Sequence, residues 1–336
     1  MAGIVFSKSS GLNDSVYGKA EAPIRAFLEE RVRAYEEQSL VNKLFKMVDS
    51  DNFGEQFGGM TAMSSGFQPV AEGGAYPQDE MQEGNKKFLE NITWKDQFAI
   101  TEEMIEDNKI LDINKLGARG FIDQFYLTRE KYAAQLLIGA VSGKTTTFRG
   151  LTMDCTSNDK EALFSTAHPS LIDGEVQSNK FAGEFSAEVL GKIEVKMQNL
   201  TDDNGEILTI APTTIVIPND YALKNAVFTA IGSDKTAEMG NNGFNYTYGR
   251  WEVIVNPYLN PILTNESNDK PFFVFDKNYN ENYYGLIFMD RIPLTMHSWI
   301  DNNTGNNVWN GRARFVCGAN DWREIAVGGV TGGTAL

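Results

Sequence analysis

From Asp112 to Leu137 apolar residues recur at three- and four-residue intervals, through Ile113, Leu116, Ile122, Phe125, Tyr126, Tyr132, Ala133 and Leu136. That spacing puts them on one stripe of a long α-helix. Asp112 is a good N-cap and Gly143 supplies the stop. About thirty residues at ~1.5 Å each make a rod of roughly 40 Å. Gly117 and Gly120 weaken it locally but also allow close packing.

The second constraint lies upstream. Residues 51–85 carry the Gly-rich run DNFGEQFGGMTAMSSGF and then the polar EGGAYPQDEMQEGNKKF, which reaches Phe88. Glycine in that density breaks a helix. Phe88, Ile92, Trp94, Phe98 and Ile100 then alternate roughly with polar residues, which is strand periodicity. The whole predicts an extended excursion, a hairpin that leaves the body and returns. Excursions of this length within a compact domain are uncommon and usually functional or disordered.

Residues 1–22 are polar and read as an arm. Pro23 opens a helical pattern through Ile24, Phe27, Leu28, Val32 and Tyr35, continued by Leu40, Val41, Leu44, Phe45 and Val48. Thr101 starts a short helix that ends near Asn108. Downstream, the pattern predicts a helix over Ser186–Asn199 with Val189, Ile193 and Met197 on one face. Asp203-Asn204-Gly205 predicts a turn, Thr213–Ile217 a buried strand, and Asp220 or Asn219 a cap for a helix through Val227. The remainder is rich in strands: WEVIVNPYL, PFFVFD, YYGLIFMDRIPLTMHSWID and RARFVCG. The fold class expected is α+β.

Chemistry is harder to find. The only histidines are His168 and His297, and the only cysteines Cys155 and Cys317. No HExxH, CxxC or GxSxG occurs. His168 reads as a loop histidine bonded to backbone. Gly139, Gly143, Lys144 and Thr145 suggest a phosphate loop, but one residue is missing between the glycines and the run follows a helix. Asp301–Asn307 is rich in oxygens, yet Asn306 and Arg312 stand where a calcium loop needs Gly and Glu. Acidic neighbours such as Asp79/Glu80 and Glu102/Glu103 read as solvated surface. No catalytic residue, cofactor or metal site is expected.

A net charge of -15 argues against a sequence-reading nucleic-acid protein, although it suits a container wall that gains nothing from adhering to its contents. Two cysteines make no disulfide framework, and a reducing compartment fits. No signal peptide is visible, and no apolar run approaches the ~18 residues of a membrane span.

Several segments, in order, carry a family likeness: ITEEMIEDN before the long helix, LFSTAHPSL, MQNLTDDNGEILTIAPTTIVIPNDY, GRWEVIVNPYL and RARFVCGANDWREIAVGG. Across about residues 25–330 the chain resembles the major capsid (head) protein of tailed phages, notably the Mu-like group, with the capsid fold first described in phage Hong Kong ninety-seven. The resemblance implies an N-terminal arm over 1–56 and an extended β-hairpin loop over 57–100. It implies a peripheral domain over 101–204 and 291–336 with the long spine helix, and an axial domain over 205–290. The role implied is a virion shell of hexamers and pentamers, assembled in the host cytoplasm and enclosing double-stranded DNA without sequence-specific recognition. Scaffolding, portal and decoration proteins are the further partners it implies, and no membrane is involved. Phe88, Trp94 and Phe98 on the extended loop, with Phe27 and Leu28 on the arm, are the candidate subunit-interface residues, because aromatics supply much of the energy at interface centres. The family's Lys–Asn crosslinking pattern is not matched residue by residue. Two alternatives stand beside this reading. One is an encapsulin-like compartment shell. The other is an acidic β-rich hydrolase or glycan-binding protein whose Trp251, Trp299, Trp309 and Trp322 stack on sugars.

Overall fold

The computed structural model describes residues 5–6, 35, 39–59, 67–78, 84–101, 103, 110–172, 174–232, 245–264 and 269–336. In chain order the elements are β1 (Val5–Phe6), α1 (Val41–Leu44), β2 (Lys46–Asp49), β3 (Gly54–Gly58), β4 (Lys86–Glu90), β5 (Ile92–Ile100) and the long helix α2 (Ile110–Ser142). There follow β6 (Thr145–Phe148), β7 (Leu151–Asp154), β8 (His168–Pro169), β9 (Val176–Gln177), α3 (Ala187–Gln198), β10 (Thr214–Pro218), α4 (Tyr221–Ile231) and β11 (Glu252–Asn256). A 3-10 helix (Pro257–Thr264), β12 (Phe272–Phe275), α5 (Lys277–Tyr283), β13 (Leu286–Ile300), β14 (Asn307–Ala319) and β15 (Ile325–Gly328) complete the chain. The architecture is α+β. Contacts divide it into two compact units: 1–55, 89–133 and 288–317 form the first, and 56–88, 134–287 and 318–336 the second.

The first unit is a helix on a sheet. Strands run in the order β1-β13-β14-β5, with β2 also pairing β13. β5 and β14 are antiparallel over nine residue pairs, from Ile100 opposite Asn307 to Ile92 opposite Phe315. Alternate residues of the sheet pack on α2. Leu294 and Met296 join Phe121, Ile122 and Tyr126 in one cluster, with Phe98, Phe125 and Trp309 against it. Gly311 is forced small here, since a Cβ would sit 2.6 Å from the Phe121 ring. The segment before the sheet docks on the same helix. Tyr35 stacks on Tyr126 at 5.0 Å, and Val41, Leu44 and Phe45 are buried.

The second unit is built on a four-stranded sheet, β11-β10-β12-β15. β10 lies parallel to β11 and antiparallel to β12, which pairs antiparallel with β15. Every residue of β10, β12 and β15 is buried, so both sheet faces are covered. α3 packs against β15 and α4 against β10. The caps are side chains. Ser186 accepts from the Val189 N–H, Asp220 from Leu223 N–H, and Asp276 from the N–H groups of Asn278 and Tyr279. Leu190, Ile193 and Met197 bury the inner stripe of α3, with Val189 only half-buried.

Three expectations need correction. The helical pattern does not run to Val48: it stops at Leu44, and Lys46–Asp49 is a strand. Its burial alternates residue by residue, and pairing with β13 overrides the helical spacing. Asp112 lies inside α2 and not at its cap. His168 is held by side chains and not by backbone. The reading of Gly143 as the stop of the long helix holds, since α2 ends at Ser142 and the Gly143 N–H donates to Gly139 O. The short helix expected over 101–108 falls almost wholly outside the described residues, as do Phe27 and Leu28.

Candidate functional site

A reactive centre would be an accessible cluster of titratable groups. Among the described residues no group of His, Cys, Asp and Glu could hold a metal ion. No helix there is long and apolar enough to cross a membrane. Several titratable clusters among the described residues are instead buried, and most of these brace the fold.

Three such clusters stand out. In the second unit, His168 is fully buried and stacks on Trp322 at 4.0 Å. Its Nδ1 lies 2.6 Å from Asp159 Oδ2 and its Nε2 3.1 Å from Asn179 Oδ1. The Asn179 amide is fixed in turn by donating to the carbonyls of Leu163, Trp322 and Ile325. Burial alone pushes the Asp159 carboxyl up, but the His168 hydrogen bond and charge, with Ser157 and the Glu161 N–H, bring it below the ordinary value. A His–Asp pair sealed under an indole meets no substrate. It pins the 159–179 loops to the C-terminal segment.

In the same unit Glu324 is wholly buried and neither carboxyl oxygen has a partner. Desolvation, with Asp321 and Asp276 nearby, raises its pKa well above the usual carboxylate range. Gly285 lies against it, where a Cβ would come within 2.3 Å of the carboxyl carbon. In the first unit Arg129 of α2 meets Asp290 of β13 in two hydrogen bonds, at 2.7 and 2.8 Å. The guanidinium also lies 4.5 Å over the Phe288 ring and 5.2 Å over Phe315. Glu130, beside it, accepts from Ser39 Oγ and from the Leu40 and Val41 N–H groups, closing the start of α1. Burial raises that carboxyl despite these bonds.

The interface candidates fall into different settings. Trp94 stacks on Phe315 at 5.0 Å, meets Tyr132 edge-on at 5.1 Å, and donates from Nε1 to Phe315 O. Phe98 is half-buried between Phe121 and Trp309. Both are thus engaged within their own subunit. Phe88, on β4, is 55% exposed, while its neighbours Lys87 and Leu89 turn inward. Lys87 there donates to Asp154 Oδ2, Thr156 O and Thr156 Oγ1.

Sequence reasoning missed several of the exposed apolar groups among the described residues. Phe67, Val70 and Tyr76 stand out from the 67–78 segment, which has no regular secondary structure. The available signal was an aromatic in a Gly-rich polar run. On α4, Tyr221 and Phe228 are exposed and lie seven positions apart, on one helix face. Of the four tryptophans proposed to stack on sugars, Trp251 and Trp322 are buried and Trp309 stacks on Phe98; Trp299 is exposed.

No curated protein sequence matches the chain. Among solved structures, a capsid structure of the cyanophage P-SCSP1u aligns over 87% of this chain and 86% of its own, at 11% identity and a TM-score of 0.54, which shows a shared fold. A structure from Mycobacterium phage Adephagia aligns over 87% and 91%, at 14% identity and a TM-score of 0.46. The profile of the family described as phage capsid protein matches residues 91–328, which takes in the whole of the long helix and every strand from β5 to β15. The chain belongs to the phage capsid protein family, so its role is structural, as a major capsid component of the virion, and not catalytic.

Proposed function

We propose that this protein is the subunit of an icosahedral head of the Mu-like group, assembled as hexamers and pentamers in the host cytoplasm around double-stranded DNA. One observation carries the reading. Phe67, Val70 and Tyr76 lie exposed on a segment without regular structure, while buried cores exist in each unit. Three large apolar side chains exposed within ten residues of one another suit a segment that a partner covers. Identical copies do so most economically, because one head-to-tail contact, repeated around a closed ring, covers the same surface on every copy.

The domain layout follows the same reading. Residues 1–56 form the arm and 57–100 the extended loop, whose base is the β3–β4 ladder. Residues 101–204 and 291–336 form the peripheral domain and 205–290 the axial domain, with the exposed Tyr221 and Phe228 of α4 turned toward capsomer neighbours. Phe88 is the loop residue best placed for an intersubunit contact. Trp94 and Phe98 act by holding the sheet that carries the loop. Scaffolding, portal and decoration proteins complete the set of partners.

Negative-stain images of the purified protein, alone and with a candidate scaffold, test this. Closed shells, rings or tubes are expected. A strictly monomeric protein at high concentration under both conditions would overturn it.

A further inference from the structure

The sheet of the first unit has a second face. Trp94 and Phe98 of β5 and Trp309 and Phe315 of β14 point to the α2 side. The alternate positions point away, and the register sets Lys95 directly opposite Arg312, with Thr93 opposite Arg314 and Gln97 opposite Asn310. Lys95, Arg312 and His297 of β13 are exposed and line one open cleft of about 590 Å³. The one carboxylate among the described residues lining it, Asp96, accepts the Gln97 N–H at 2.9 Å. Neither Lys95 nor Arg312 has an ion pair among the described residues. Arg314 donates to Asn91 O, but its Nε is buried without a partner, as is Asn310 Oδ1 in the cleft.

Two cations set directly opposite on paired strands repel and weaken the sheet. The isolated subunit gains nothing from the arrangement. The chain as a whole carries a charge of -15, so any shell made of it brings acidic surfaces together. A bare basic face is where such a surface is best received. The patch also covers only two neighbouring register positions, not the long stripe that follows a nucleic-acid backbone.

We infer that this face of β5, β14 and β13 is an assembly surface that receives carboxylates of a second copy of the chain, with Lys95 and Arg312 as the central cations. The inference rests on the shell-forming reading and adds the surface and its chemistry. Contact there is electrostatic, so it weakens with salt.

The test compares wild type with the Lys95→Gln/Arg312→Gln double variant. Sedimentation measures the concentration needed for assembly across a salt series. A thermal melt of dissociated subunits checks the fold, and a titration with a short duplex DNA checks the other polyanion. The expected result is a concentration requirement raised about tenfold at low salt in the double variant, the effect of two partly screened charge contacts. Most of the salt dependence should disappear with it, while the subunit's melting point stays level or rises because the repulsion is gone. Equal assembly and equal salt dependence in the two proteins overturns the inference and leaves the shell reading standing. Normal assembly with lost DNA binding also overturns it, assigning the face to nucleic acid. If wild type forms no particles at all, the shell reading itself falls and takes this inference with it.

Discussion

Replacing Arg129 by Met tests the account of the first unit most sharply. The guanidinium and the Asp290 carboxylate have side chains only 8% and 9% exposed, and they meet in a two-pronged bond. Removing the cation leaves the Asp290 carboxylate buried with its main partner gone. Breaking a buried pair from one side costs about 3–5 kcal/mol. Replacing both partners by apolar side chains removes the stranded charge as well, and such exchanges are often neutral or even stabilising by ~1–4 kcal/mol. Arg129→Met and Asp290→Leu should therefore each be strongly destabilising, and the double variant should recover most of the loss. Denaturant unfolding of dissociated subunits, followed by tryptophan fluorescence, measures all four proteins of the cycle. Trp94 stacks on Phe315 within the same aromatic layer, so it reports the region directly. Single variants within about 1 kcal/mol of wild type, the range of an exposed pair, would refute the reasoning.

Three other outcomes are expected. Glu324→Met should raise the melting temperature at alkaline pH and change it little below the ordinary Glu value of 4.5. The raised pKa in the fold means that stability is lost as pH climbs from that value, and the variant lacks this penalty. Asp159 behaves in the opposite sense: its contribution is fully present above the ordinary Asp value of 3.8 and lost as pH falls through the lower value of the fold. Asp159→Asn should therefore be destabilised at neutral pH, with the difference from wild type shrinking in acid unfolding curves taken below that point. Gly311→Ala should cost about 1–3 kcal/mol by driving a methyl into the Phe121 ring, measured by the same denaturant transition.

What the sequence displays clearly is whatever is encoded locally. The α2 stripe, the Ser186 and Asp220 caps, the turn at Asn204-Gly205 and the buried run at Ile215–Ile217 all rest on residues a few positions apart. What it hides is pairing at long range. Arg129 and Asp290 are 161 residues apart and each reads as an ordinary surface charge. Glu130 caps α1 from 90 residues away, which no capping motif anticipates. Lys46–Asp49 became a strand because β13 offered it an edge, against its helical spacing. β15 pairs with β12. The interface candidates show the same limit. Aromaticity marked Trp94 and Phe98, but only the register of β5 on β14 shows that they face their own helix.

The account turns on whether copies of this chain cover one another's exposed apolar side chains. A cryo-electron microscopy reconstruction of particles formed from the purified protein decides it. The predicted map is a closed shell in which Phe67 and Tyr76 are buried against a neighbouring subunit. A map with both side chains facing solvent at every position would contradict it.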